Sequence, residues 1–454
     1  MRILQGVVFV VVVGIVGGFL WLRTSDLGQI FLPTGTGITA KQICSLHFVS
    51  GLTPERARRL YTTPLLGDAD QLVSVSVDAE KREVRTSVLG LLAHQRAVFR
   101  EGLGCTLVHG SGAFDPDAAL PPPPGADPLQ LDTAHRDAHF NADALAAAMD
   151  DAFKDDGRNT LGVAVLHDGR LIAERYADGI DETTPLHGWS MTKSLAVTVA
   201  GALTQRGLID VRSEAQVPAL VAAERPEITI DNLLRMTGGL AGYELQNGSD
   251  PVSDMLFTES DMATFAATRD QIAPPGERFD YQSGNTILAG EGFEEFLGET
   301  PDEEIATLRQ WLFEPLGMSH TILETDESGT LQWSSYMYAS ARDWARLGQL
   351  YLDGGRAPNG AQIIPENWID YVTDPTPGSD GNYGAGFWLY DVGLPDDKFM
   401  MNGFQGQGGF VVPSEGLVVV RLGATNYRQD GGAALTAAVI AAKRDRPEVE
   451  TEDL

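Results

Sequence analysis

The chain has 454 residues, 43% of them apolar, and 33 Lys and Arg against 63 Asp and Glu, for a formal net charge of −30. That length and apolar content belong to a folded protein rather than a disordered one, and the acidity repels phosphate backbones, which excludes nucleic acid as a partner. A solvated acidic surface accounts for the charge as well as any ligand does, so the charge names no substrate.

Residues 1–23 carry an uncharged apolar run from Ile3 to Leu22, about the length that spans a bilayer. No small-residue cleavage pattern follows Leu22, so the run is expected to be an uncleaved single-pass anchor, with the membrane as partner. The two cysteines, Cys44 and Cys105, both come after it. A bond between them closes a loop of about 60 residues and is worth up to ~4 kcal/mol; two buried free thiols are the other reading. The bond suits an oxidising compartment, so the expected location is the inner (cytoplasmic) membrane, with the bulk of the chain on the periplasmic or extracytoplasmic side.

Residues 24–113 form an accessory segment with strand-like runs at Leu72 to Val77 and Val84 to Leu89. Residues 114–135 contain Pro121, Pro122, Pro123 and Pro124, which enforce an extended linker. The main domain, 136–444, opens with Asn141 capping a helix over Ala142 to Phe153. Leu161 to Leu166 and Leu171 to Tyr176 then flank an Asp168-Gly169 hairpin turn. Helices dominate the middle, including one capped by Ser340. Strands return at Gly408 to Val412 and Leu417 to Leu422, before a helix over Ala433 to Lys443 and an acidic tail at 445–454. Strands at both ends with helices between them predict one sheet sewn from both termini.

A serine hydroxyl needs a nearby base to become a nucleophile. Ser190-Met191-Thr192-Lys193 supplies one: if Ser190 starts the helix running to Gly207, Lys193 at i+3 shares its face, and the helix N-terminus favours a developing oxyanion. Alone, this spacing reads equally well as a capping serine with a solvated lysine. A second constellation, Phe279 to Asn285, is a polar aromatic loop that places Tyr281 as a proton shuttle, its pKa lowered by the Lys193 cation. The third, Gly403 to Gly409, leaves a strand edge bare for a substrate and offers the Gln407 N–H as a second oxyanion donor. This Gly-rich turn lacks the Lys-Ser or Lys-Thr of a phosphate loop. With neither H-E-x-x-H nor C-x-x-C, no metal or other cofactor is expected, and His187 reads as a hydrogen-bonded neighbour of the site. Gly188 to Thr192 misses the G-x-S-x-G elbow by its last glycine.

S-x-x-K, Y-x-S and a Gly-rich strand edge, in that order, resemble the serine β-lactamase and penicillin-binding-protein superfamily over residues 136–444. The stretches around Ser190, Ile228 to Leu240, Tyr281, Trp333 to Leu352 and Gly406 to Gly423 look like its esterase and 6-aminohexanoate-dimer hydrolase branch, similar in mechanism to class C β-lactamases. The resemblance implies an α/β (α+β) fold, a mostly antiparallel sheet flanked by helices beside an all-helical lobe, with the site between them. It implies Ser190 as the acylated nucleophile, Lys193 as its activator, Tyr281 as general base and then acid, and the Ser190 and Gln407 N–H groups as oxyanion hole. Ser283, Asn285, Phe404, Gly406 and Gly408 would face the substrate. Two positions depart from the pattern: Ser283 stands where an Asn is usual, and Phe404 where a Lys or His is expected. An ester or a linear amide is therefore the expected substrate. The alternatives are a β-lactamase or D,D-peptidase acting on cell-wall peptides and, from another class, a non-catalytic anchored binding protein.

Overall fold

The computed structural model describes residues 25–444, except 113, 122, 124–128, 155, 215, 246, 247, 249 and 427–430. The expected anchor and the acidic tail fall outside these residues. Among the described residues no helix is long and apolar enough to cross a membrane, so a membrane partner gains no support from the fold.

The N-terminal part folds around helix α1 (Leu32–Phe48) and a four-stranded antiparallel sheet, β1 (Val73–Asp78), β2 (Glu83–Val88), β3 (Leu92–Arg100) and β4 (Gly104–Leu107), paired in that order. The first two strands lie within a residue of the expected runs. Helix α1 has no sequence signature, since Pro33, Gly35, Gly37 and three threonines are poor helix formers. Burial makes it helical instead: most of its residues from Thr34 to Leu46 are enclosed. Cys44 on α1 and Cys105 on β4 are joined in a disulfide.

In the remainder, Asn141 caps α2 (Ala142–Ala152) by accepting from the Asp143 and Ala144 N–H groups. The hairpin β5 (Thr160–His167) and β6 (Arg170–Tyr176) turns at Asp168 and Gly169, both with positive φ (50° and 74°), as a two-residue turn between twisted strands requires. Helices α3 (Thr192–Gln205), α4 (Pro251–Thr258), α5 (Ser283–Leu297) and α6 (Ala341–Leu352) follow, then β7 (Phe399–Gly403), β8 (Gln407–Val412), β9 (Leu417–Gly423) and α7 (Gly431–Ala441). The five strands pair antiparallel in the order β7-β8-β9-β5-β6, with Val420 opposite Ala164, so the sheet is sewn from both ends of the domain. Alternate residues enter two cores: Val163 and Val165 pack with Phe140 and Val439, whereas Ala164 and Leu166 pack with Leu347.

The two parts share one continuous hydrophobic core. Lys41 of α1 forms a fully buried ion pair with Glu324 (2.8 Å), and Glu324 also accepts from Ser45 Oγ (3.0 Å) and the Cys105 N–H (2.7 Å). Glu327 accepts from the N–H groups of His109, Gly110 and Ser111. On the other flank of α1, a Cβ on Gly37 would sit 2.5 Å from the Phe257 carbonyl, so glycine permits the close crossing with α4. The accessory segment is thus built into the rest of the fold.

Candidate active site

Ser190 does not begin a helix, as the spacing predicts, but lies on a 3-10 turn, Trp189–Met191, immediately before α3. Trp189 takes a φ of 48°, costly for a bulky residue and sustained only where its surroundings hold it. Its indole N–H donates to Gln405 Oε1 (3.3 Å), and its ring meets His187 (4.1 Å) and Phe404 (5.5 Å). Gly188 precedes it because a Cβ there would lie 2.3 Å from the Trp344 ring.

One turn on, the buried Lys193 Nζ donates to Ser190 Oγ (2.9 Å), Ser283 Oγ (3.0 Å) and the Ser334 carbonyl (3.1 Å). Burial pushes its pKa down to about 8, against the opposing charge of Glu244. Tyr281 stands over the same amine, with Nζ 5.0 Å from its ring centroid, and rests on Trp388 (4.9 Å) and Tyr383 (5.7 Å). The expected lowering of its pKa is not found. Burial, with Glu244 next, pushes the phenol well above its usual value, and hydrogen bonds with Ser190 and Trp388 offset only part of this.

Glu244 carries no sequence signal and belongs to the site. It accepts from Ser283 Oγ (3.1 Å), so the serine that replaces the expected asparagine bridges Lys193 to a carboxylate. Its loop is fixed by Gln282, whose amide donates to the Leu240 carbonyl (2.7 Å) and leaves no room for a Cβ on Gly242. His187 is a neighbour, as expected: its Nε2–H donates to the Ser335 carbonyl (2.8 Å), its Nδ1 faces the Gln42 amide (3.3 Å), and burial lowers its pKa to about 3, so it stays neutral.

The Gly-rich edge does adjoin the Ser190 turn, since a Cβ on Gly403 would lie 2.2 Å from the Gly188 carbonyl. Gln407 opens β8, and its side-chain amide donates to the Phe404 carbonyl (3.2 Å) while its Oε1 accepts from the Gly423 N–H (2.9 Å). Gly406 and Gly408 are glycine for packing reasons, against Thr425 and Phe410. Asn285 is buried in α5, its Nδ2 beside the Met236 sulfur (3.9 Å). Of these expected substrate contacts, only Phe404 lines the cavity of about 170 Å³ that opens beside Ser190. His135, His167 and Asp168 bring ligand atoms within 4.8 Å of one another at the β5–β6 turn, but His135 Nε2 and His167 Nδ1 bond each other (2.9 Å), and the group includes no residue of the Ser190 cluster.

A 6-aminohexanoate-dimer hydrolase of Paenarthrobacter ureafaciens is 25% identical over 294 residues, covering 57% of this chain and 71% of its own. A proposed 6-aminohexanoate-dimer hydrolase from Bacillus anthracis superposes with a TM-score of 0.54 at 21% identity, over 71% of this chain and 86% of that one. A penicillin-binding-protein homologue from Caulobacter crescentus gives 0.53 at 19% identity, over 66% and 97%; at such identities the two structures speak for the fold. The family model described as Beta-lactamase matches residues 142–443, more than half of the chain and inclusive of every residue of the Ser190 cluster. The chain belongs to the beta-lactamase family.

Proposed function

We propose that the protein cleaves an ester or linear amide through an acyl-enzyme on Ser190. The observation that carries this reading is the buried Lys193 amine, 2.9 Å from Ser190 Oγ and with its pKa brought down to about 8. In the neutral form of Lys193 the amine takes the Ser190 proton as Oγ attacks the carbonyl carbon. Tyr281 keeps its proton at neutral pH, so its role is that of acid: the phenol gives its proton to the departing alkoxide or amine, and the Lys193 ammonium restores it. Water then attacks the acyl carbon while its proton passes to the neutral Lys193 amine, the bond to Ser190 Oγ breaks, and Lys193 returns the proton to Oγ as the carboxylic acid leaves. The Ser190 and Gln407 N–H groups are the proposed oxyanion donors.

An uncharged substrate is favoured over a β-lactam or a peptide carboxylate. No Lys, Arg or His is among the described residues lining the cavity, while Glu244 and Asp250 are, and like charges in a confined site repel. The Cys44–Cys105 bond supports an oxidising, extracytoplasmic location.

Turnover of a chromogenic short-chain ester tests the assignment. Ser190→Ala abolishes it, and Tyr281→Phe lowers kcat by about a hundred- to ten-thousandfold. Undiminished turnover in Ser190→Ala would refute the reading.

A further inference from the structure

The cavity beside Ser190 has two authors. The hydrolase part supplies Trp189, Leu256, Phe257 and Phe404. The rest of the wall comes from Phe31 just before α1, Gly35 and Ile38 on α1, and Leu66 in the segment after it. This wall is fixed in place, because α1 is pinned by the Lys41–Glu324 ion pair, the Cys44–Cys105 bond and the close crossing of Gly37 with Phe257.

The chemistry of the wall restricts what enters. Its surface is mainly aliphatic and aromatic carbon, and its ionisable groups among the described residues are Glu244 and Asp250. Glu244 accepts from Ser283, and Asp250 from the N–H and hydroxyl of Ser253 (2.9 and 3.0 Å). Carboxylates in the wall disfavour an anionic substrate group. The volume, about 170 Å³, resembles that of the ~150 Å³ apolar cavity that holds one benzene, so it takes an arm of about six to eight carbons.

Position decides which arm. A leaving group must collect its proton from Tyr281, and neither Tyr281 nor the Trp388 ring beneath it belongs to the cavity wall. The leaving group departs on the Tyr281 side, and the acyl arm lies against α1. We propose that the cavity is an acyl pocket half-built by the N-terminal segment, and that the substrates are uncharged esters or amides with an apolar acyl arm of about six to eight carbons. This rests on Ser190 as the acylated nucleophile: Oγ bonds the acyl carbon, the bond to the leaving group breaks with its electron pair, and the proton comes from Tyr281.

The test is a ladder of p-nitrophenyl esters, acetyl through dodecanoyl, on the full chain. We expect kcat/KM to peak at hexanoyl or octanoyl, about tenfold or more above acetyl, and to fall about tenfold for the adipoyl monoester, which ends the same arm in a carboxylate. A Cβ on Gly35 meets only Leu66, at 3.5 Å, so Gly35→Phe has room to enter the pocket and lowers the octanoyl-to-acetyl ratio about tenfold. Leu66→Ala, which enlarges the pocket, moves the peak to decanoyl or dodecanoyl, a gain that misfolding cannot imitate. A flat ladder in the wild type, a peak unmoved in Leu66→Ala, or length dependence in acetate esters of longer alcohols instead, overturns the pocket assignment and leaves Ser190 standing. Turnover that persists in Ser190→Ala brings down the nucleophile reading itself, as does a wild type that is silent on the whole ladder and takes no adduct at Ser190.

Discussion

Three acceptors surround the Lys193 amine, and burial, opposed by the Glu244 charge, brings its pKa down to about 8. As a base it acts only when neutral, so kcat/KM for a neutral ester rises with pH through an ionisation near 8 and then levels. Glu244 holds that pKa up, so Glu244→Gln shifts the rising limb to lower pH; a limb that stays put or moves upward contradicts the electrostatic role of Glu244. The grouping of Ser190, Lys193 and Tyr281 is legible in the sequence because it rests on local spacing, one turn of chain and one rigid loop. Glu244 is not, since it reaches Ser283 across 39 residues of chain through a loop that tertiary packing folds back. The direction of the Tyr281 shift was beyond the sequence as well. Reading a cation beside a phenol says which way that charge pushes, but not how much desolvation opposes it.

Helix α1 is where sequence and fold diverge most. Strands β5, β6, β8 and β9 show as apolar runs with a turn signal between them, whereas α1, rich in Thr and Gly, is helical because its neighbours bury it. Its docking predicts a measurable cost. Lys41→Met leaves Glu324 buried without its cationic partner, which destabilises by about 3–5 kcal/mol in urea unfolding; a loss within error would mean the pair does not hold α1. In the helix following α5, the buried Glu304 has its pKa raised to about 9 by burial and by Glu294. Folding therefore favours its protonated form. That contribution is complete below the ordinary value of 4.5 and is lost as pH rises toward about 9. Glu304→Gln gains melting temperature over the wild type progressively across this interval, and a constant difference would contradict the shift.

At the scale of the whole molecule, the sheet sewn from both chain ends was readable from where the strands fall. The joining of the N-terminal part to the domain that carries Ser190 was not, because it depends on contacts such as Cys105 with Glu324, 219 residues apart. Removing the disulfide by a Cys44→Ser and Cys105→Ser double substitution costs about 4 kcal/mol on the chain-entropy view, read by denaturant unfolding under non-reducing conditions. A destabilised wall then also flattens the preference for longer acyl chains. The central claim, an acyl-enzyme on Ser190, is tested most directly by intact-mass spectrometry of the protein quenched during turnover of a chromogenic ester, with a fluorophosphonate as the trapping control. One acyl or phosphonyl adduct per chain, mapped to Ser190 and absent in Ser190→Ala, is the expected result. An adduct on another residue, or full turnover by Ser190→Ala, would contradict it.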